Sequence, residues 1–91
     1  MGEQIKIKRR ISAHPADLGI TSTTQPSAVC PDIFETESGD FVIIGSDVTS
    51  DVGKEIPEDA VISKGERVVL IPRVLLLSAF ENLKREDSMA Q

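Results

Sequence analysis

Cys30 and His14 each occur once in this 91-residue chain, and between them they bound the chemistry it could do. A thiol becomes a nucleophile when a neighbouring base takes its proton and a third group orients that base. Cys30, His14 and any of several aspartates make up that inventory, so Cys30 is the catalytic candidate and His14 its candidate base. No motif joins the two, and a free cysteine is more often a small buried hydrophobe. One Cys and one His cannot close a structural zinc site, and Asp47, Asp51 and Glu55 lack the spacing and glycine of a calcium loop. No metal ligands and no cofactor are therefore expected. The six glycines are scattered and form neither a phosphate-binding loop nor a dinucleotide fingerprint.

These few groups need elements to hold them, and the densest apolar stretch is ERVVLIPRVLLLSAFENLKR, residues 66–85. Residues 66–71 read as a strand covered on both faces. Pro72 ends it, having no N–H for a ladder and a φ suited to a first helical turn. A helix then runs to about Glu86, and at about 100° per residue Leu75, Leu76, Ala79, Phe80 and Leu83 share one arc. Val74 and Leu77 fall off that arc and need another cover, either Leu18 and Ile20 of the N-terminal loop or a partner.

Upstream, Ile5, Ile7 and Ile11 alternate with Lys6, Lys8 and Arg10, as in a strand with one buried face; Arg9 breaks the pattern. Cations along such a strand protect a sheet edge, which places it at an edge. Residues 12–31 are mostly loop, with a helical turn from His14 to the Gly19 stop and Leu18 and Ile20 as anchors to the core. Residues 32–46 form a hairpin around Glu37-Ser38-Gly39-Asp40. With Ser38-Gly39 as a two-residue loop, Glu35 faces Val42, Phe34 faces Ile43 and Ile33 faces Ile44, which puts Phe34, Thr36, Phe41 and Ile43 on the face under the helix. Val48, Val52 and Ile56 suggest a short irregular helix capped by Ser46 or Asp47. Residues 87–91 are a tail.

The fold class that follows is α+β, one domain over 1–91: a small, mainly antiparallel sheet with one C-terminal amphipathic helix on one face. Its expected core is Phe34, Phe41, Ile43, Val69, Ile71, Leu76, Phe80 and Leu83.

Charge narrows the partners. The 15 acidic and 10 basic residues give a net charge of −5, which disfavours nucleic acid and anionic membrane. Nine carboxylates crowd residues 32–59 against Lys54 alone, so this segment is either a solvated acidic face or a contact surface. No apolar run approaches the roughly 20 residues that span a bilayer. A single cysteine and the polar opening MGEQIKIKRR point to the cytoplasm.

The words Cys30-Pro31-Asp32-Ile33-Phe34-Glu35, Gly39-Asp40-Phe41-Val42-Ile43-Ile44-Gly45-Ser46-Asp47 and Arg67-Val68-Val69-Leu70-Ile71-Pro72-Arg73 resemble a set of small actinobacterial proteins of unassigned activity. That likeness, over roughly residues 30–80, implies a bacterial cytosolic protein and no particular mechanism. In outline, hairpin, strand and helix are also similar to the MbtH-like partners of peptide synthetases, whose characteristic tryptophans are absent here.

Two functions follow as expectations. The first is a non-catalytic interaction module, accessory, regulatory or inhibitory, that meets a protein partner or its own copy through Val74, Leu77, Asp47, Asp51 and Glu55. The second is a thiol-dependent enzyme or redox sensor built on Cys30.

Overall fold

The computed structural model describes residues 4–20 and 31–89. Strands β1 (Ile7–Arg10), β2 (Asp32–Thr36) and β3 (Phe41–Ile44) form an antiparallel sheet in the order β1-β2-β3, so the cation-bearing β1 lies at an edge as expected. Strands β4 (Ser46–Asp47) and β5 (Val69–Leu70) make a second, two-stranded sheet, helix α1 (Thr49–Val52) follows β4, and helix α2 (Arg73–Met89) closes the chain. The α+β class is borne out.

The hairpin differs from its expected register by one residue. Three residues, Glu37, Ser38 and Gly39, form the loop: the Thr36 N–H donates to the Asp40 carbonyl at 2.9 Å and the Gly39 N–H to the Thr36 carbonyl at 3.1 Å. Gly39 takes φ 93°, the left-handed position that completes a three-residue loop. The buried Thr36 hydroxyl buckles the turn, accepting from the Asp40 N–H at 3.0 Å. Glu35 therefore pairs with Phe41, Phe34 with Val42 and Ile33 with Ile43. Because side chains alternate, the slip exchanges faces: Ile33 and Glu35 now share a face with Phe41 and Ile43, while Phe34 and Thr36 take the other.

A bulge between Ile7 and Arg9 does the same to β1. Arg9 and Ile11 point to the helix side, whereas Ile5 and Ile7 are exposed, contrary to a single buried face for all three isoleucines. The break in alternation at Arg9 is this bulge.

The core is thus not the expected one. Ile11, Ile33, Leu75 and Ala79 are buried, with Leu18, Ile20, Ile71 and Leu83 packed around them. Phe41, Ile43, Val69, Leu76 and Phe80 are exposed and Phe34 is only partly covered, so of the expected eight Ile71 and Leu83 alone join this cluster. Leu18 and Ile20 do anchor to it, from a 3-10 turn over Pro15–Leu18 that ends at Gly19 with φ 74°. Neither covers Val74 or Leu77, which stay exposed.

Residues 66–71 form less strand than expected, and what forms is not covered on both faces. Its partner β4 has two residues, so the ladder holds only Ser46 to Leu70 and Asp47 to Val69, both strand residues of β5 being exposed. Just before it, the Val68 N–H goes to the Thr49 hydroxyl at 2.8 Å, a side chain of α1. Gly45, between β3 and β4, sits so close that a Cβ there would lie 2.6 Å from the Leu70 carbonyl oxygen. Helix α2 continues to Met89, beyond the expected end near Glu86.

Candidate functional site

Helix α2 is held to the sheet by a polar row beside its apolar one. Ser78, Asn82 and Glu86, four residues apart, line the side toward β1. The Ala13 N–H donates to the Ser78 hydroxyl at 2.9 Å, the Asn82 amide donates to the Ile11 carbonyl at 2.6 Å, and Glu86 pairs with Arg9. These bonds satisfy backbone groups of the chain leaving the β1 edge, which would otherwise lie unpaired under the helix.

With that flank tied to β1 and Leu75 and Ala79 seated on Ile33, the opposite flank of α2 looks toward β3. At about 100° per residue this flank carries Leu76 and Phe80. Both are 54% exposed, and on the sheet beside them Phe41 and Ile43, on the same face as Ile33, are 44% and 43% exposed. The helix packs on β2, the middle strand of the sheet. Helical periodicity and sheet register together define an apolar step, with Phe41 and Ile43 on its floor and Leu76 and Phe80 on its wall; the Lys84 ammonium lies 5.6 Å from the centre of the Phe80 ring. Leu77 stands on the outer crest of the helix and Val74 on the flank toward β1, so these two exposed residues do not belong to the step.

Beyond β1 lies a cleft of about 300 Å³ lined by Arg9, Arg10, Ile11, Asn82, Arg85 and Glu86. Three arginines suggest an anion site, but two are already engaged. Arg9 donates through Nε to Glu35 at 2.9 Å and reaches Glu86, and Glu35 first, then Glu86, raise its pKa against the opposing effect of burial. Arg10 shares its Nε–H between the two Asp32 carboxylate oxygens, at 2.9 and 3.1 Å, and lies 5.5 Å from the Phe34 ring centre. Glu35, Glu86 and Asp32 offset most of the positive charge around the cleft, although Arg9 Nη2 is buried without a hydrogen-bond partner.

The acidic candidates are placed but not gathered. Asp47 lies in β4, Asp51 in α1 and Glu55 in the turn after it, all exposed. Asp47 is engaged locally. Its carboxylate accepts the Thr49 N–H at 3.0 Å and the Thr49 hydroxyl at 2.7 Å, opening α1 from one residue upstream of the position where a cap would normally sit. The hydroxyl bond first, then the backbone bond, hold its pKa below the usual aspartate range. A depressed folded pKa gives stability that is complete above the ordinary value of about 3.9 and is lost as pH falls through the folded one. Acid titration should therefore loosen the start of α1 below about pH 4, read as a falling protection factor of the Thr49 amide relative to its intrinsic exchange rate, and Asp47→Ala should remove the pH dependence of that protection.

His14 is exposed at the start of the 3-10 turn, its carbonyl accepting the Asp17 N–H at 2.8 Å. Cys30, the other half of the thiol candidate, lies outside the described residues. Among the described residues no three His, Cys, Asp or Glu side chains gather as a metal site, and no helix is long and apolar enough to cross a membrane.

The chain matches no protein-family model, no curated protein and no solved structure. The geometry of its surface is what speaks to function. Sequence periodicity misses the step, because it places Leu76 and Phe80 in the inward arc of α2. The signal lies in the polar positions: Ser78, Asn82 and Glu86 repeat every four residues next to Leu75, Ala79 and Leu83. Taken together, the two rows turn the buried face away from Leu76 and Phe80.

Proposed function

We propose that this protein is a small, acidic, non-catalytic interaction module, an accessory, regulatory or inhibitory component of the cytoplasm that docks through the apolar step between α2 and β3. The observation that carries the reading is the shared exposure of Leu76, Phe80, Phe41 and Ile43 beside a sheet edge with no neighbouring strand among the described residues. At roughly half of about 200 Å² each, the four side chains present on the order of 300 Å² or more of apolar surface, the size of patch that on a small protein marks a contact site. A net charge of −5, with Arg9 and Arg10 engaged by internal carboxylates, weighs against nucleic acid as the partner. One cysteine in the chain suits a reducing compartment. The likeness of residues 30–80 to small actinobacterial proteins supports a bacterial setting.

The test is a photo-crosslinking amino acid placed at Phe80 and, as a control away from the step, at Glu58. Discrete adducts are expected from position 80 and not from 58, and Leu76→Glu should abolish them while leaving the circular dichroism unchanged. Equal labelling from both positions, or none from position 80, would overturn the reading.

A further inference from the structure

The two edges of the sheet are built differently. Edge strand β1 carries Lys8, Arg9 and Arg10, contains a bulge and hands its chain on to bonds with α2. Edge strand β3 is Phe41-Val42-Ile43-Ile44, with no charge, no proline and no bulge. Natural sheets blunt such an edge unless something pairs with it. The parity of its backbone is set by the hairpin: Thr36 and Asp40 are a hydrogen-bonded pair, and antiparallel pairs alternate, so Val42 and Ile44 bond to β2. The N–H and C=O groups of Phe41 and Ile43 consequently point outward.

We infer that the occupant of this edge is a second copy of the chain, pairing β3 with β3 antiparallel about a two-fold axis at Val42. The inference rests on the interaction reading above and names its partner. In that register each Phe41 exchanges backbone bonds with Ile43 of the other copy, and the two outward groups on each strand are satisfied. Phe41 and Ile43 are also the floor of the step, so the same register makes two aromatic to β-branched cross-strand pairs on the helix side. Each Asp40 falls opposite an Ile44, so no two like charges face one another. The strand is its own complement, as an isologous contact requires. A two-fold axis perpendicular to the sheet keeps both α2 helices on one face of a six-stranded sheet, and the two steps then share one apolar floor.

Area sets the strength. The two steps together offer on the order of 600 Å² of apolar side chain, and with the strand backbones this reaches only the low end of specific interfaces. The dimer is therefore weak and reversible, in the micromolar range. Two copies of charge −5 repel at long range, so added salt should tighten the association.

Sedimentation equilibrium of the full chain at micromolar to submillimolar concentration tests this, with amide exchange as an independent measurement. The wild type is expected to dimerise, and the Phe41 and Ile43 amides are expected to exchange more slowly as concentration rises. Ile43→Lys, an exposed edge position, should weaken the dimer by roughly tenfold or more with unchanged circular dichroism. If that variant fails to fold, the concentration dependence of the two wild-type amides decides alone. A wild type that stays monomeric, or Phe41 and Ile43 amides indifferent to concentration, would overturn the pairing, and so would a dimer unaffected by Ile43→Lys. Dimerisation lost with Phe80→Glu but not with Ile43→Lys would sink the strand pairing and leave the apolar step standing as a docking site. A monomer whose position-80 crosslinks to another protein persist would do likewise.

Discussion

Leu75→Ala is expected to destabilise the domain by about 3–5 kcal/mol, the upper part of the range for buried leucine truncations. Leu75 has 0% exposure and is, among the described residues, the one fully buried large side chain that α2 contributes. Its neighbour Ile33 stands on β2 and Ile11, just past β1, donates its N–H to the Ile33 carbonyl, while the polar row of Ser78 and Asn82 holds the helix at a fixed height above them. The site therefore cannot collapse to fill the space, and the cavity cost adds to the lost transfer free energy. The buried hydrophobic core among the described residues is only Ile11, Ile33, Leu75 and Ala79, so this loss is comparable with the whole stability of a small domain, about 5–15 kcal/mol. At about 4–8 °C per kcal/mol, the melting temperature should fall by tens of degrees. Phe80→Ala makes the contrast. At 54% exposure Phe80 should cost within about 1 kcal/mol, the reverse of what its place in the expected core implied. Urea melts of the two variants at low protein concentration, where association does not contribute, would separate them. A Phe80 truncation as damaging as that of Leu75 would mean that the step is closed in solution.

The distance between the expected and observed core comes from parity and from polar residues. Strand, hairpin and helix are each legible: Pro72 marks the start of α2, Gly39 marks the turn, and the cations of β1 mark an edge. The loop length is not, because Ser38-Gly39 and Glu37-Ser38-Gly39 both place a glycine where positive φ is needed. The longer loop is favoured by the Thr36 hydroxyl, which accepts the Asp40 N–H and so ties the two strand ends together. One residue of slip then sends Phe34 from the helix face to the other and brings Ile33 under α2. In the helix, periodicity of apolar residues alone centres the arc between Leu76 and Ala79. The backbone groups at Ile11 and Ala13 need Asn82 and Ser78 facing them, and that requirement rotates the helix toward its polar row. The candidate site is illegible for the same reason, since Leu76 and Phe80 become surface only after that rotation. Val74 and Leu77, which the helical wheel leaves outside the arc, are indeed uncovered. The acidic residues Asp47, Asp51 and Glu55 are exposed as well, but Asp47 is occupied with Thr49.

Asp32 shows what the charge pattern could not. It counts among the nine carboxylates of the acidic segment, yet it is 4% exposed and belongs to the interior. Its carboxylate accepts Arg10 Nε through both oxygens, at 2.9 and 3.1 Å, and the Ile33 N–H at 3.0 Å, with the buried Ser12 hydroxyl at 3.5 Å. A carboxylate is tolerated there because its lone pairs are answered and a cation stands beside it. Asp32→Ala leaves the Ile33 N–H and the Ser12 hydroxyl without their acceptor, while Arg10, 41% exposed at its side chain, can turn to water. Hydrogen bonds to charged groups contribute about 1.5–3 kcal/mol, so a loss of about 2–3 kcal/mol is expected, below the roughly 3–5 kcal/mol that a buried pair with no solvent access would cost. Arg10→Ala alone should cost less, about 1–2 kcal/mol, because it strands a carboxylate that keeps its other two partners. The double variant should then fall short of the sum of the two by about 1 kcal/mol, the mark of a direct interaction in a thermodynamic cycle. Additive losses would mean that Asp32 holds the β1–β2 junction through Ser12 and Ile33 and that the Arg10 bond is incidental to it.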